Sequence, residues 1–132
     1  MNHTFYNNNT KYSILITYAY FETQLSKVNL DFFIHNGVFD VPNVHYNFII
    51  KGSNCSIDIP QQDNIKIHYI ENKGYDFAAY TYSVEHPHTN NKEYDYYIFL
   101  NDTVRGPFVP RYVQKSYWFH CFIQLLNEKT KL

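Results

Sequence analysis

Asn101, Asp102 and Thr103 stand in a row at the end of an apolar and aromatic run, Tyr94 to Leu100 (YDYYIFL). Together they offer hard oxygen donors. Such donors suit Mg²⁺ or Mn²⁺ carrying a diphosphate, with the metal keeping several waters. Asp102 is the sure anion of the three. Arg105, just beyond it, could neutralise a phosphate or pair with a surface carboxylate. Upstream, ENKGYD (residues 71 to 76) places Gly74 just after another apolar run. A glycine there lets backbone approach a ligand, and the N-terminus of a following helix offers free amides to an anion. Both segments also have a plain structural reading. The first could be an Asx turn closing a strand, and the second a tight strand-to-helix turn.

Strands and helices must hold these residues. Ser13 to Tyr18 (SILITY) is a short β-branched run that suits a strand buried on both faces. From Glu22, the apolar positions Leu25, Val28, Phe32 and Phe33 recur at helical steps, and Gly37 follows as a C-cap. Val44 to Ile50 and Ile65 to Ile70 read as the second and third strands, joined by a loop over residues 52 to 64. Asp76 can cap a helix from Phe77 to Glu85, which Pro87 ends. Tyr94 to Leu100 is the fourth strand. Gly106-Pro107 and Pro110 make an irregular segment, and Ser116 to Asn127 has the apolar spacing of a last helix.

This alternation predicts an α/β fold: a Rossmann-like, mostly parallel sheet with flanking helices and right-handed crossovers. The third and fourth strands would then set their polar carboxyl ends side by side, where open α/β sheets bind ligands. A doubly wound unit would follow the last helix with another strand. This chain stops at Lys129-Thr130-Lys131-Leu132 instead, so the expected architecture is truncated.

At 132 residues there is chain for one core, with an Asn-rich lead-in at 1–11 and a domain over 12–132. A net charge of −1 gives no electrostatic footprint for nucleic acid or an anionic membrane. Cys55 and Cys121 form no CxxC spacing, and Cys121 reads as a small buried hydrophobe. The seven histidines show no HxH or HExxH pattern on one strand or helix face, His86-Pro87-His88 lying in a polar loop, and GxSxG, P-loop and GxGxxG motifs are absent. No leader peptide or transmembrane segment is legible, so the expected location is cytoplasmic, or host cytoplasm if the chain is viral. Glycosylation-type sequons begin at Asn2, Asn8, Asn54 and Asn101, but an Asn-rich chain generates these by chance.

Taken in order, the strand ending in Thr17-Tyr18, the E-N-x-G of Glu71, Asn72 and Gly74, and YDYYIFLND resemble the nucleotide-binding half of a GT-A-fold glycosyltransferase. More narrowly, NLDFFIHNGV, ENKGYDFAAY and YDYYIFLNDTVRGPFVP are similar to rhamnan-synthesis-type polysaccharide glycosyltransferases of bacteria and large DNA viruses. The resemblance implies a nucleotide-sugar donor, a glycan acceptor and a divalent cation, Mn²⁺ or Mg²⁺. It points to Thr17 and Tyr18 at the base, and to Asn72, Gly74, Asp76, Asn101 and Arg105 along the nucleotide. Asp102 and Thr103 fall at the metal. Alignment through Leu100 sets Asn101 and Thr103 where the family's DxD motif has aspartates, so either Asp102 binds in a shifted register or metal dependence is reduced or lost. The family's acceptor site and catalytic base come from a C-terminal half, so no base is assigned. A catalytically inactive remnant, binding a nucleotide or a partner, is the alternative. A second copy or a partner chain would then cover the side left open.

Overall fold

The computed structural model describes residues 12–89 and 93–126. The Asn-rich lead-in, the sequons at Asn2 and Asn8, and the final residues 127–132 lie outside the described residues. The elements run β1 (Ile14–Tyr20), α1 (Gln24–Gly37), β2 (Val44–Lys51), β3 (Ile65–Ile70), α2 (Tyr75–Glu85), β4 (Tyr96–Asn101), a 3-10 turn (Lys115–Tyr117) and a single turn α3 (His120–Ile123). The sheet is four-stranded, all parallel, in the order β3-β2-β1-β4. This is a Rossmann-like α/β arrangement.

β1 is buried at every position, as a central strand covered on both faces must be. Tyr18 and Tyr20 point to one face, where Leu30 and Phe33 of α1 join Tyr46 and Phe48 of β2 in the main core. Ala19 and Ile49 point to the other, against Ala79 of α2. The β2–β3 crossover has no helix. Residues 52–64 cross as irregular chain, with Ile59 buried and Cys55 and Ile57 packed on the main core.

Three expectations need correction. α1 forms, with Thr23 and Ser26 closing a capping box, but it buries Asn29, Leu30 and Phe33 while Leu25 and Val28 face outward. Gly37 is not a left-handed cap. It is glycine because a Cβ there would sit 2.7 Å from the Phe33 ring and 2.8 Å from Pro107. Among the described residues, the predicted last helix is a 3-10 turn followed by one α-turn, with Tyr117, Trp118 and Phe119 buried in succession.

Beneath α2 runs a polar seam. Asn47 Nδ2 donates to Ser83 Oγ at 3.0 Å and to the His86 carbonyl at 3.1 Å, and Thr17 Oγ1 lies 2.6 Å from Ser83 Oγ. His88 Nε2 sits 3.0 Å from the Tyr46 carbonyl and 2.9 Å from Asn47 Oδ1. Both partners accept, so Nε2 carries the proton. Nδ1 is buried without a partner, and the ring stacks on His45 at 4.5 Å. Burial and the neighbouring His45 therefore depress the His88 pKa from 6.5 to about 4.

Above pH 6.5 both folded and unfolded chains carry neutral His88. As pH falls from 6.5 towards 4, the unfolded chain protonates first, so stability declines through that window and then levels off. Allowing for solvent screening of a partly exposed residue, the loss is roughly 1–2 kcal/mol. Urea melts at the two ends of the window measure it. His88→Gln, whose amide can donate to the same acceptors, should flatten the dependence. An unchanged slope in that variant would assign it elsewhere.

Candidate functional site at the carboxyl ends of β1, β2 and β4

The strand order places the topological switch point between β1 and β4, and ligands of open α/β sheets bind outside the carboxyl ends there. The order also corrects an expectation. β3 and β4 are the two edges, with β2 and β1 between them. At about 4.8 Å per strand, their ends stand roughly 14 Å apart. Asn72 and Gly74 therefore sit on the far rim, exposed. It is α2, starting at that rim and crossing over β2 and β1, that carries Asp76 back towards β4.

Asn101, Asp102 and Thr103 close β4. The Asn101 Oδ1 accepts from Thr103 N at 3.0 Å and Thr103 Oγ1 at 2.6 Å, an Asx turn. Asp102 Oδ2 accepts from the Phe21 amide at 2.7 Å, tying β4 to the residue just past β1. The Asp102 carbonyl accepts from Asn29 Nδ2 at 2.8 Å, and Arg105 Nε donates to Asn29 Oδ1 at 3.2 Å. Asn29 is thus a buried polar clasp from α1 that holds the whole 102–105 segment. This explains why a polar residue occupies the inner face of that helix.

On the other side of the sheet, Lys51 ends β2 and pairs with Asp76 at 2.6 Å. Asp76 lies in the first turn of α2 and does not cap it. The N-cap is Gly74 in the left-handed region, φ 73°, and no side chain takes the free amides. Burial raises the pKa of the Tyr80 hydroxyl, and the Asp76 charge adds to the rise. Burial raises the Asp102 pKa, and the nearby Asp76 carboxylate adds to the rise. The Phe21 amide and the Lys51 ammonium oppose it. Asp102, Asp76 and Lys51 thus interact electrostatically across one crevice.

No protein-family model, curated protein or solved structure matches this chain.

The expected residues therefore divide. Asn101, Asp102 and Thr103 form the turn that ends β4 and Asp76 acts on the Asp102 carboxyl, whereas Arg105 is held by Asn29 of α1. Thr17 does not reach it, because β1 runs on to Tyr20, leaving Thr17 fully buried under α2 on Ser83. Tyr18 is also inside, stacked on Phe33, with its hydroxyl buried and unpartnered. Burial and the Asp102 charge push that hydroxyl well above the usual tyrosine range. Lys51, Asn29 and Tyr80 were missed by sequence reasoning. The signal for Lys51 was a single lysine closing the apolar run YNFII just before Gly52.

At the rim, Tyr20 donates to Glu22 Oε1 at 3.0 Å, and the same oxygen accepts from the Ser56 amide and hydroxyl. The Ser56 amide leads in holding Glu22 below the usual carboxylate range. Glu22 anchors the 52–64 crossover to the end of β1, a positioning role. Among the described residues, no three His, Cys, Asp or Glu side chains gather as a metal centre, and no helix is long and apolar enough to cross a membrane.

Proposed function

We propose that the crevice binds the diphosphate of a nucleotide-sugar donor, and that the chain is the donor-binding part of a glycosyltransferase acting on a glycan acceptor. The observation that carries this reading is the Asp102 carboxylate fastened to the end of β1 at the switch point. It sets a polar Asn-Asp-Thr turn at the carboxyl end of β4, where Asp76 of the first turn of α2 and Lys51 at the end of β2 act on the Asp102 carboxyl. The order of ENKGYD and LNDTVRGPF along the chain, and their similarity to GT-A enzymes of the rhamnan-synthesis type, supply the substrate class.

The divalent cation that the resemblance implies does not fit the turn as it stands. Both hydrogen bonds of the Asx turn fall on Asn101 Oδ1, and Asp102 Oδ2 is taken by the Phe21 amide. One carboxylate oxygen and the Thr103 hydroxyl are left, a poor set for a hard cation whose affinity follows ligand charge. No catalytic base is assigned.

Thermal shift with uridine, guanosine and thymidine diphosphate sugars, each with and without Mn²⁺, tests the reading. Stabilisation by at least one of them is expected, by about 2–3 kcal/mol at a hundredfold excess over Kd. No shift with any would overturn donor binding.

A second reading is a binding module without turnover. Phe108, Tyr112 and Val104, at 72%, 77% and 60% exposure, give residues 104–112 an apolar surface suited to a partner chain. Measurable sugar transfer by the chain alone would eliminate it.

A further inference from the structure

We propose that this crevice holds the nucleoside diphosphate without a divalent cation, and that the Lys51 ammonium takes the charge role at the diphosphate. The inference rests on the donor-binding reading above and goes further by naming the group that meets the phosphates. No sequence motif marked Lys51; its position does.

Lys51 closes β2, the strand next to β1, and its side chain is only 11% exposed. Its pairing with Asp76 Oδ1 at 2.6 Å holds it under the first turn of α2. An ammonium has three N–H donors, so one bond to Asp76 leaves two for phosphate oxygens. Being held already, the side chain gives up little rotamer freedom when a ligand arrives.

Across the crevice, the Asn-Asp-Thr turn leaves a metal only one carboxylate oxygen and the Thr103 hydroxyl. Asn101 Oδ1 accepts the two bonds of its own turn, and Asp102 Oδ2 binds the Phe21 amide that keeps β4 on β1. Freeing either oxygen for a metal would undo the contacts that shape the site.

The experiment is calorimetric titration of the full chain with uridine, guanosine and thymidine diphosphate, once in excess EDTA and once in excess Mn²⁺. For the nucleotide that binds, the two Kd values should agree within about threefold. Lys51→Met should weaken binding by at least about tenfold. Lys51→Arg, which keeps a charge and donors, should restore it to within about threefold of the original. Circular dichroism of both variants reports folding, and the comparison of EDTA with Mn²⁺ needs no variant at all. Tightening by Mn²⁺ of about tenfold or more, or unchanged binding by Lys51→Met, overturns the role given to Lys51 and leaves donor binding standing. No binding of any nucleotide in either buffer removes the donor-binding reading and this inference with it.

Discussion

Trp118→Ala is expected to lower the unfolding free energy by about 3–5 kcal/mol, the range for deleting a large buried aromatic. Trp118 is 2% exposed and meets Phe33, Phe119 and Phe122 edge-on, with centroids 5.7–6.2 Å apart. Its indole Nε1 donates to the Gly37 carbonyl at 2.8 Å, and the Tyr46 hydroxyl donates to the same oxygen at 2.9 Å. The last described segment is thereby pinned to the end of α1, where Gly37 leaves room for Phe33 and Pro107 to close in. Truncation opens a cavity among rings that cannot all collapse into it. Trp118→Phe separates packing from hydrogen bonding. It keeps most of the apolar volume, and the Gly37 carbonyl keeps Tyr46, so it should cost only about 1–2 kcal/mol. Equilibrium urea denaturation of both variants measures the difference. Equal losses would mean that the hydrogen bond, not the ring volume, holds the segment.

The same region shows why parts of this fold were legible in sequence and others were not. SILITY, VHYNFII and IKIHYI announce strands because β-branched and aromatic runs bounded by polar turns have few other readings. Strand order is a long-range property, and no local pattern says that β1 and β2 stand between β3 and β4. The ends of β3 and β4 consequently looked adjacent. α1 was legible as a helix but not in its facing. Its apolar stripe was read through Leu25 and Val28, whereas the buried face includes Asn29, whose partners are the Asp102 carbonyl and Arg105. A polar residue buried by a contact this remote in sequence gives no periodic signal. Lys51 escaped for a related reason, since a charge ending a strand reads as solvent-facing until α2 is seen to bring Asp76 over it. The Asn-Asp-Thr turn was legible as a strand end, and its Asx geometry was one of the readings left open.

The second large effect is expected at Asn47. Asn47→Leu keeps the side-chain volume and removes the polar seam between β2 and α2, and should destabilise the protein by about 2–4 kcal/mol. Asn47 is fully buried and uses both ends of its amide. Nδ2 serves Ser83 and the His86 carbonyl, and Oδ1 accepts from His88. Leucine would leave the His86 carbonyl without that donor, and the Ser83 hydroxyl would keep only Thr17. His88 would hold on through the Tyr46 carbonyl alone. The seam matters beyond stability, because the fully buried apolar contact of α2 with the sheet is Ala79 against Ala19 and Ile49, with Tyr80 and Tyr82 only partly buried beside it. Polar bonds at the C-terminal end of α2 therefore fix how its N-terminal turn sits over Lys51. Asn47→Leu should accordingly weaken nucleotide binding at a distance, while Val84→Ala, on the outward face of the same helix, should leave both stability and binding nearly unchanged. Urea denaturation and calorimetric titration of the two variants check this. A fully stable Asn47→Leu protein would show that apolar packing alone holds α2 on the sheet.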